Sequence, residues 1–217
     1  MFNNLKIIRN PLSENYLTFL RDKKTSYTDF RSYLDKLSLI LAYESAGELS
    51  LKKKTIFTPL AKFNCRVVYQ DIILVPVLRA GLGLVNGFTQ LFPHAKISHI
   101  GIYRNEENLK PVKYYFKFPG SKSSKRSPLT NSNRIVFILD PMLATGGSIN
   151  CTIASLKKLG IKKIIVISIV SSPEGVKEIN KRYKNIKIYT CALDEKLNDN
   201  GYIVPGLGDA GDRLFGT

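Results

Sequence analysis

The sequence predicts an α/β protein, a doubly wound and mostly parallel sheet flanked by helices, with a helical N-terminal segment and a hairpin lid, in a single domain over residues 1–217. Three observations carry this. The runs "DIILVPVL" (71–78), "RIVFILD" (134–140) and "KIIVISIV" (163–170) are short, β-branched and almost uninterrupted by polar residues. Strands covered on both faces of a parallel sheet have that look. Each run is followed by a turn and then a helical stretch, and the first third of the chain has helical spacing instead.

Taken in order, "SENYLTFLRDKKT" begins with Ser13, a candidate N-cap, and "SYTDFRSYLDKLSLILAYESA" carries apolar residues at helical spacing. Two helices are expected there. After the second strand run, Ser148 to Leu159 makes a helix stopped by Gly160; after the third, Ser172 and Pro173 suit an N-cap and the first helical position. "YRNEENLKPVKYYFKFP" has turn residues and aromatics that suit a hairpin lid. "PGSKSSKRSPLTNSNR", Pro119 to Arg134, is a low-complexity loop inside the domain and is expected to be poorly ordered without ligands.

Composition bounds the function. With 217 residues and 44% apolar content, a domain of this size buries roughly 70% of its unfolded surface. No apolar run approaches the roughly 20 residues of a membrane span, and the N-terminus lacks the apolar core of a signal peptide. A soluble protein of the cytoplasm or an organelle stroma is expected, with no membrane partner. Cys65, Cys151 and Cys191 show no CxxC spacing, and His94 and His99 lie too far apart for a helical metal pair. Buried reduced thiols and ordinary histidines are the reading. The net charge of +16 is spread through "LKKKT", "SLKKLGIKK" and "EINKRYKNIKIY", without an arginine-rich arm or an aromatic RNA-binding motif. A solvated surface, with an anionic small molecule as part of the explanation, is favoured over nucleic acid.

The chemistry gathers at the strand ends, where such sheets bind ligands. In "DPMLATGGS", Asp140 to Ser148, an acid at a strand tip is followed by small and glycine residues that lead into a helix. Ala144, Thr145, Gly146, Gly147 and Ser148 can present consecutive N–H groups where the helix dipole favours an anion. No Gly-Lys-Ser/Thr follows, so a monophosphate suits better than a triphosphate. Asp140 would accept hydrogen bonds from hydroxyls on the same molecule, which makes a sugar phosphate the natural ligand. A glycine turn serving only chain topology is the competing reading. Arg79, in "RAGLGLVNG", sets a permanent charge at a second strand tip, and Arg104 ends a further strand. A second anion is implied.

The C-terminal "YIVPGLGDAGDRLFGT" fits GxGxxG at Gly206, Gly208 and Gly211, but only six residues follow, which leaves no room for a helix to meet a phosphate. Such a tail instead lets backbone groups approach a flat ligand. A turn role for Asp209, bonded to its own backbone, stays open beside a role toward the ligand.

From about Ile7 to Thr217 the chain resembles the uracil phosphoribosyltransferases, with four motif blocks in that family's order. "PVLRAGLG" is similar to its pyrophosphate loop, "YRNEE" to its lid, "DPMLATGGS" to its phosphoribosyl-pyrophosphate (PRPP) loop, and the C-terminal block to its uracil loop. Most phosphoribosyltransferases carry two adjacent acids where this chain has Asp140 and Pro141, and that replacement is typical of the uracil enzymes. The Pro119–Arg134 loop is longer than the family commonly has.

The resemblance implies conversion of uracil and PRPP to UMP and pyrophosphate, a pyrimidine-salvage reaction. It assigns Arg79 and Arg104 to the pyrophosphate, and Asp140, Pro141, Met142, Leu143, Ala144, Thr145, Gly146, Gly147 and Ser148 to the ribose and its 5′-phosphate. Ile203, Gly208 and Ala210 would hold uracil through backbone groups, with Asp209 touching the donor. Arg79, Arg104 and Asp209 are thus the expected catalytic residues. Mg²⁺ is expected bound mainly through PRPP, with no dedicated protein metal site. Family members are commonly oligomers and some respond to GTP, so a homo-oligomer and a GTP effector are implied, and no nucleic acid partner. An RNA-binding, pyrimidine-sensing regulator on the same fold and a dinucleotide-dependent oxidoreductase are the alternatives from other classes.

Overall fold

The computed structural model describes residues 2–104, 111–120 and 133–217. The elements in chain order are β1 (Leu5–Ile7), α1 (Pro11–Arg21), α2 (Tyr27–Ser45), β2 (Leu51–Phe57), β3 (Lys62–Val68), β4 (Asp71–Leu78), α3 (Val85–Leu91), β5 (Lys96–Ile97), β6 (Ile100–Arg104) and β7 (Pro111–Phe116). Then follow β8 (Arg134–Leu139), β9 (Met142–Leu143), α4 (Gly147–Lys158), β10 (Lys163–Ser171), α5 (Pro173–Arg182), β11 (Lys187–Leu193), β12 (Lys196–Leu197), β13 (Ile203–Val204) and α6 (Ala210–Phe215).

The central sheet has the order β1-β11-β10-β8-β4-β6-β7, with β5 beside β4 and β9 beside β10. All its neighbours run parallel except β6 and β7, which form the antiparallel edge. Both faces are covered, which is why the strand sequences lack polar alternation. Leu74, Phe137, Ile165 and Ile167 belong to one core with Leu34 and Leu37 of α2 and Phe88 of α3. Their neighbours Ile73, Val75, Val136, Ile138 and Val166 point the other way, into a second core with Ile149 and Ile153 of α4 and Val176 and Ile179 of α5. Phe88 and Phe137, both fully buried, meet with ring centroids 5.6 Å apart. Burying each side chain contributes about 1.5–3 kcal/mol.

The expected strands and helices are present, with local corrections. Asn10 caps α1, not Ser13: Ser13 N donates to Asn10 Oδ1 at 2.9 Å, and Asn10 N donates to Ser13 Oγ at 3.0 Å. Pro11, with φ already set for a helix, moves the start upstream and leaves Ser13 as the reciprocal half of a capping box. Ser26 and Ser172 cap α2 and α5 through Asp29 N and Gly175 N. α4 spans Gly147–Lys158, and Gly160 follows it with φ of 78°.

A short helix does form in the C-terminal tail, contrary to expectation. It starts inside the glycine motif, at Ala210, capped by Asp209, and closes on Gly216 at φ 74°. The Asp209 cap lies within the glycine motif itself, ahead of the six residues that follow it. The antiparallel hairpin β2–β3 was not anticipated, because the lysines of "LKKKT" read as scattered surface charge. It is exposed along almost its whole length, including Phe57 and Phe63. Most of the expected lid tip and of the Pro119–Arg134 loop lies outside the described residues. Among the described residues, no helix is long and apolar enough to cross a membrane.

Candidate active site

Chain order along the sheet reverses between β4 and β8: from β4 the chain moves outward to β6 and β7, from β8 it moves the other way to β10 and β11. A crevice opens at the carboxyl ends of strands at such a point. The two strands lie in register, with Val75 opposite Ile138 and Pro76 opposite Leu139. Arg79 and Asp140, the next residues beyond these strand ends, therefore stand on the two lips. Two adjoining cavities of about 600 and 500 Å³ open here, and Asp140 and Asp209 line both.

The turn after β4 presses on β8. A Cβ on Gly81 would lie 2.3 Å from the Leu139 carbonyl oxygen, so only glycine lets this turn hold Arg79 at the crevice. The Leu78–Arg79 peptide is cis. The Arg79 side chain lines the smaller cavity, and its Nη2 donates to Asp212 Oδ1 at 2.9 Å. Arg104 closes β6, opposite Pro111 of β7; its side chain lies outside the described residues.

Asp140 N donates to the Ile167 carbonyl at 3.1 Å, which ties the strand tip to β10. Its carboxylate accepts one backbone bond, from Met142 N at 3.3 Å. No ion pair among the described residues holds it. Burial pushes its pKa up to about 7, with only the Met142 bond opposing. An acceptor this poorly served inside the fold is ready for hydroxyls or a cation from a ligand.

The segment from Pro141 to Ser148 divides. The Pro141 carbonyl accepts from Ile169 N and Val170 N, and Leu143 is fully buried in the core, so these two anchor the loop and do not line the cavities. Met142 and Ala144 line the larger cavity and Ser148 the smaller. Gly146 takes φ 78° and offers α4 no side-chain cap, which leaves first-turn amides for another acceptor. Thr145 Oγ1 accepts from Gly147 N only at 3.4 Å. The loop is pressed from behind by α5, since a Cβ on Gly175 would lie 2.2 Å from the Ala144 oxygen, and Ser172 Oγ donates to that same oxygen at 2.6 Å.

On the opposite wall, Ile203, Gly208, Asp209 and Ala210 all line the larger cavity. Ile203 and Ala210 are buried and Gly208 has φ 77°. Asp209 Oδ1 accepts from Asp212 N at 2.9 Å, so the turn role left open in the sequence is real, and the same carboxylate lines both cavities. Sequence reasoning missed Tyr202 in the larger cavity and Tyr103 and Tyr114 in the smaller. It also missed Asp212, although the D-x-x-D spacing of "DAGD" is a capping signal that could have singled it out.

A carboxylate and a run of uncapped helix amides on one lip, facing a backbone-walled cleft on the other, suit a phosphorylated sugar beside a flat base; with this sheet order they make the chain a phosphoribosyltransferase. A sequence model of uracil phosphoribosyltransferase matches residues 7–217. The chain is 47% identical over 211 residues to the uracil phosphoribosyltransferase of Clostridium perfringens, covering 97% of each chain, and 46% identical over 213 residues to that of Pediococcus pentosaceus, covering 98% of each. A solved structure of a protein from Aquifex aeolicus superposes with a TM-score of 0.88 at 36% identity, covering 97% of both chains. The chain belongs to the uracil phosphoribosyltransferase family.

Proposed function

We propose that this chain transfers the 5-phosphoribosyl group of PRPP to a ring nitrogen of uracil, giving UMP and pyrophosphate. The observation that carries the reading is the placing of Arg79 and Asp140 beyond adjacent strand ends, at the reversal in sheet order, on cavities shared with the 203–210 loop. The α4 amides and Ser148 would seat the 5′-phosphate, and Asp140 would accept from the ribose hydroxyls. Arg79, with Arg104 from the next strand, would take the negative charge that develops on pyrophosphate as the C1–O bond breaks. The lone pair of the uracil nitrogen forms the C1–N bond, and its proton leaves to pyrophosphate or water. No side-chain nucleophile is needed, and positioning two substrates in one crevice supplies much of the acceleration.

Mg²⁺ fits this site as a companion of the substrate. Among the described residues no cluster of three or more His, Cys, Asp or Glu could hold it alone, whereas Asp140 and Asp209 both face the shared cavity. One or two carboxylates plus phosphate oxygens are its usual ligands, and when bound it would neutralise charge on the leaving group. A homo-oligomer fits the exposed β2–β3 hairpin, where Phe57 and Leu60 are 81% and 97% exposed.

Labelled uracil with PRPP and Mg²⁺ should yield labelled UMP, with none when PRPP is left out. Cytosine should react on the order of 10⁴-fold less well, because a buried backbone donor and acceptor matched to O4 and N3–H face the reversed pattern. Absence of UMP from the complete mixture would overturn the assignment.

A further inference from the structure

The loop that walls the base cleft is suspended from outside. Gly206, between Ile203 and Gly208, turns the chain at φ 61°, where a Cβ would lie 2.1 Å from the Ile203 oxygen. Both of its backbone polar groups are taken by one partly buried ion pair. Gly206 N donates to Asp194 Oδ2 at 2.8 Å, and the Gly206 carbonyl accepts from Arg21 Nη1 at 2.7 Å. The pair itself is a closed fork: Arg21 Nη1 donates to Asp194 Oδ2 at 2.8 Å and Nη2 to Oδ1 at 2.6 Å.

Arg21 is the last residue of α1, and Asp194 follows β11 with its N–H on the Ser171 carbonyl at 2.8 Å. The Asp194 side chain is 5% exposed and that of Arg21 24%. Neither residue lines either cavity. Arg213 adds a second tie, from Nη1 to the Leu207 carbonyl at 2.8 Å and from Nη2 to the Asp22 carbonyl at 2.6 Å.

We propose that Arg21 and Asp194 are the positioning pair for base selectivity, acting on the base only through the main chain of Gly206. The inference rests on the reading of 203–210 as the uracil loop. Where a base is read by backbone groups, any displacement of the loop passes directly to those contacts, and a misplacement of about 1 Å costs on the order of 10²-fold. Discrimination then depends on how firmly the loop is held. An apolar pair of equal volume could replace a buried ion pair without loss of stability. It could not bond both groups of Gly206, which is what the fork does here.

Arg21→Lys is the test, because lysine keeps the charge and loses the planar fork. The expected result is a uracil KM raised at least about 10-fold, with PRPP KM and kcat within about 3-fold, and a uracil-over-cytosine preference reduced at least about 10-fold. Asp194→Asn should show the same split with a smaller amplitude, and serves if the lysine variant fails to fold. Amide hydrogen exchange should quicken across 203–208 in either variant while β8 and β10 keep their protection. An unchanged uracil KM, or equal rises in both KM values, overturns the proposal, as does unaltered exchange in the loop. A wild-type chain that makes no UMP would instead sink the uracil reading, and the exchange result would still decide whether the pair fixes the loop.

Discussion

Arg79 Nη2 donates to Asp212 Oδ1 at 2.9 Å, so the guanidinium proposed for the pyrophosphate is held by a carboxylate of α6, the helix whose first turn lines the proposed base cleft. The two side chains are 57% and 49% exposed. An exposed pair of this kind is worth about 0–1 kcal/mol, so donor phosphates can displace the carboxylate at little cost. Asp212→Asn is expected to lower PRPP KM by up to about 5-fold in low salt, and by less in high salt. Arg79→Ala should reduce kcat/KM by on the order of 10²-fold with thermal unfolding unchanged. Steady-state kinetics at two salt concentrations check both.

Asp140 links pH to stability and to binding. Its carboxyl titrates near 7 in the folded chain and at 3.8 ordinarily, so the folded state favours the protonated form. That stabilisation is complete below the unfolded midpoint and is lost as pH rises through about 7. Asp140→Asn should therefore raise the melting temperature at about pH 8, with a gain of up to ~4 kcal/mol and little gain at about pH 4. The same substitution should weaken PRPP binding. In the wild type, kcat/KM for PRPP should climb with pH to a plateau above about 7. A melting curve with the same pH dependence in both proteins would refute the burial argument.

Asp209 combines a cap with a cavity wall, and Asp209→Asn separates the two. Asparagine caps a helix about as well as aspartate, so α6 should persist and stability should shift by less than about 0.5 kcal/mol. Loss of the charge should lower PRPP affinity or kcat at least about 10-fold, while uracil binding by calorimetry stays nearly constant. Unchanged donor kinetics would leave the cap as its role.

Gly175 tests the support behind the proposed phosphate loop from outside the crevice. A methyl group there meets the Ala144 and Leu143 carbonyl oxygens at 2.2 and 2.9 Å, and backbone cannot yield as a side chain can. Gly175→Ala should cost about 1–3 kcal/mol of stability and raise PRPP KM several-fold more than uracil KM. Equal KM values for variant and wild type would show that the loop's shape is set elsewhere.

Much of this was legible in the residue order because its causes are local. Apolar runs with no polar alternation report coverage on both faces, and the turn "ATGGS" carries its own geometry in small residues and a left-handed glycine. Where local signals competed, the reading slipped: Pro11 outbid Ser13 for the helix start, and Asp209 opened a helix inside a motif whose helix was sought beyond it. The β2–β3 hairpin escaped because pairing, and not burial, holds it, so no alternation marks it.

By itself the sequence determined the three central strand runs, most of the helices, the glycine-bearing turn after Asp140 and the family, each written in residues a few positions apart. Only the tertiary structure decided which strand ends share a lip, that Arg79 rests on Asp212, and that Arg21 reaches Asp194 and Gly206 across 173 and 185 positions. Periodicity and capping act over one or two turns of chain. A hydrogen bond between distant segments exists only once packing of the whole sheet and its helices has fixed where those segments meet.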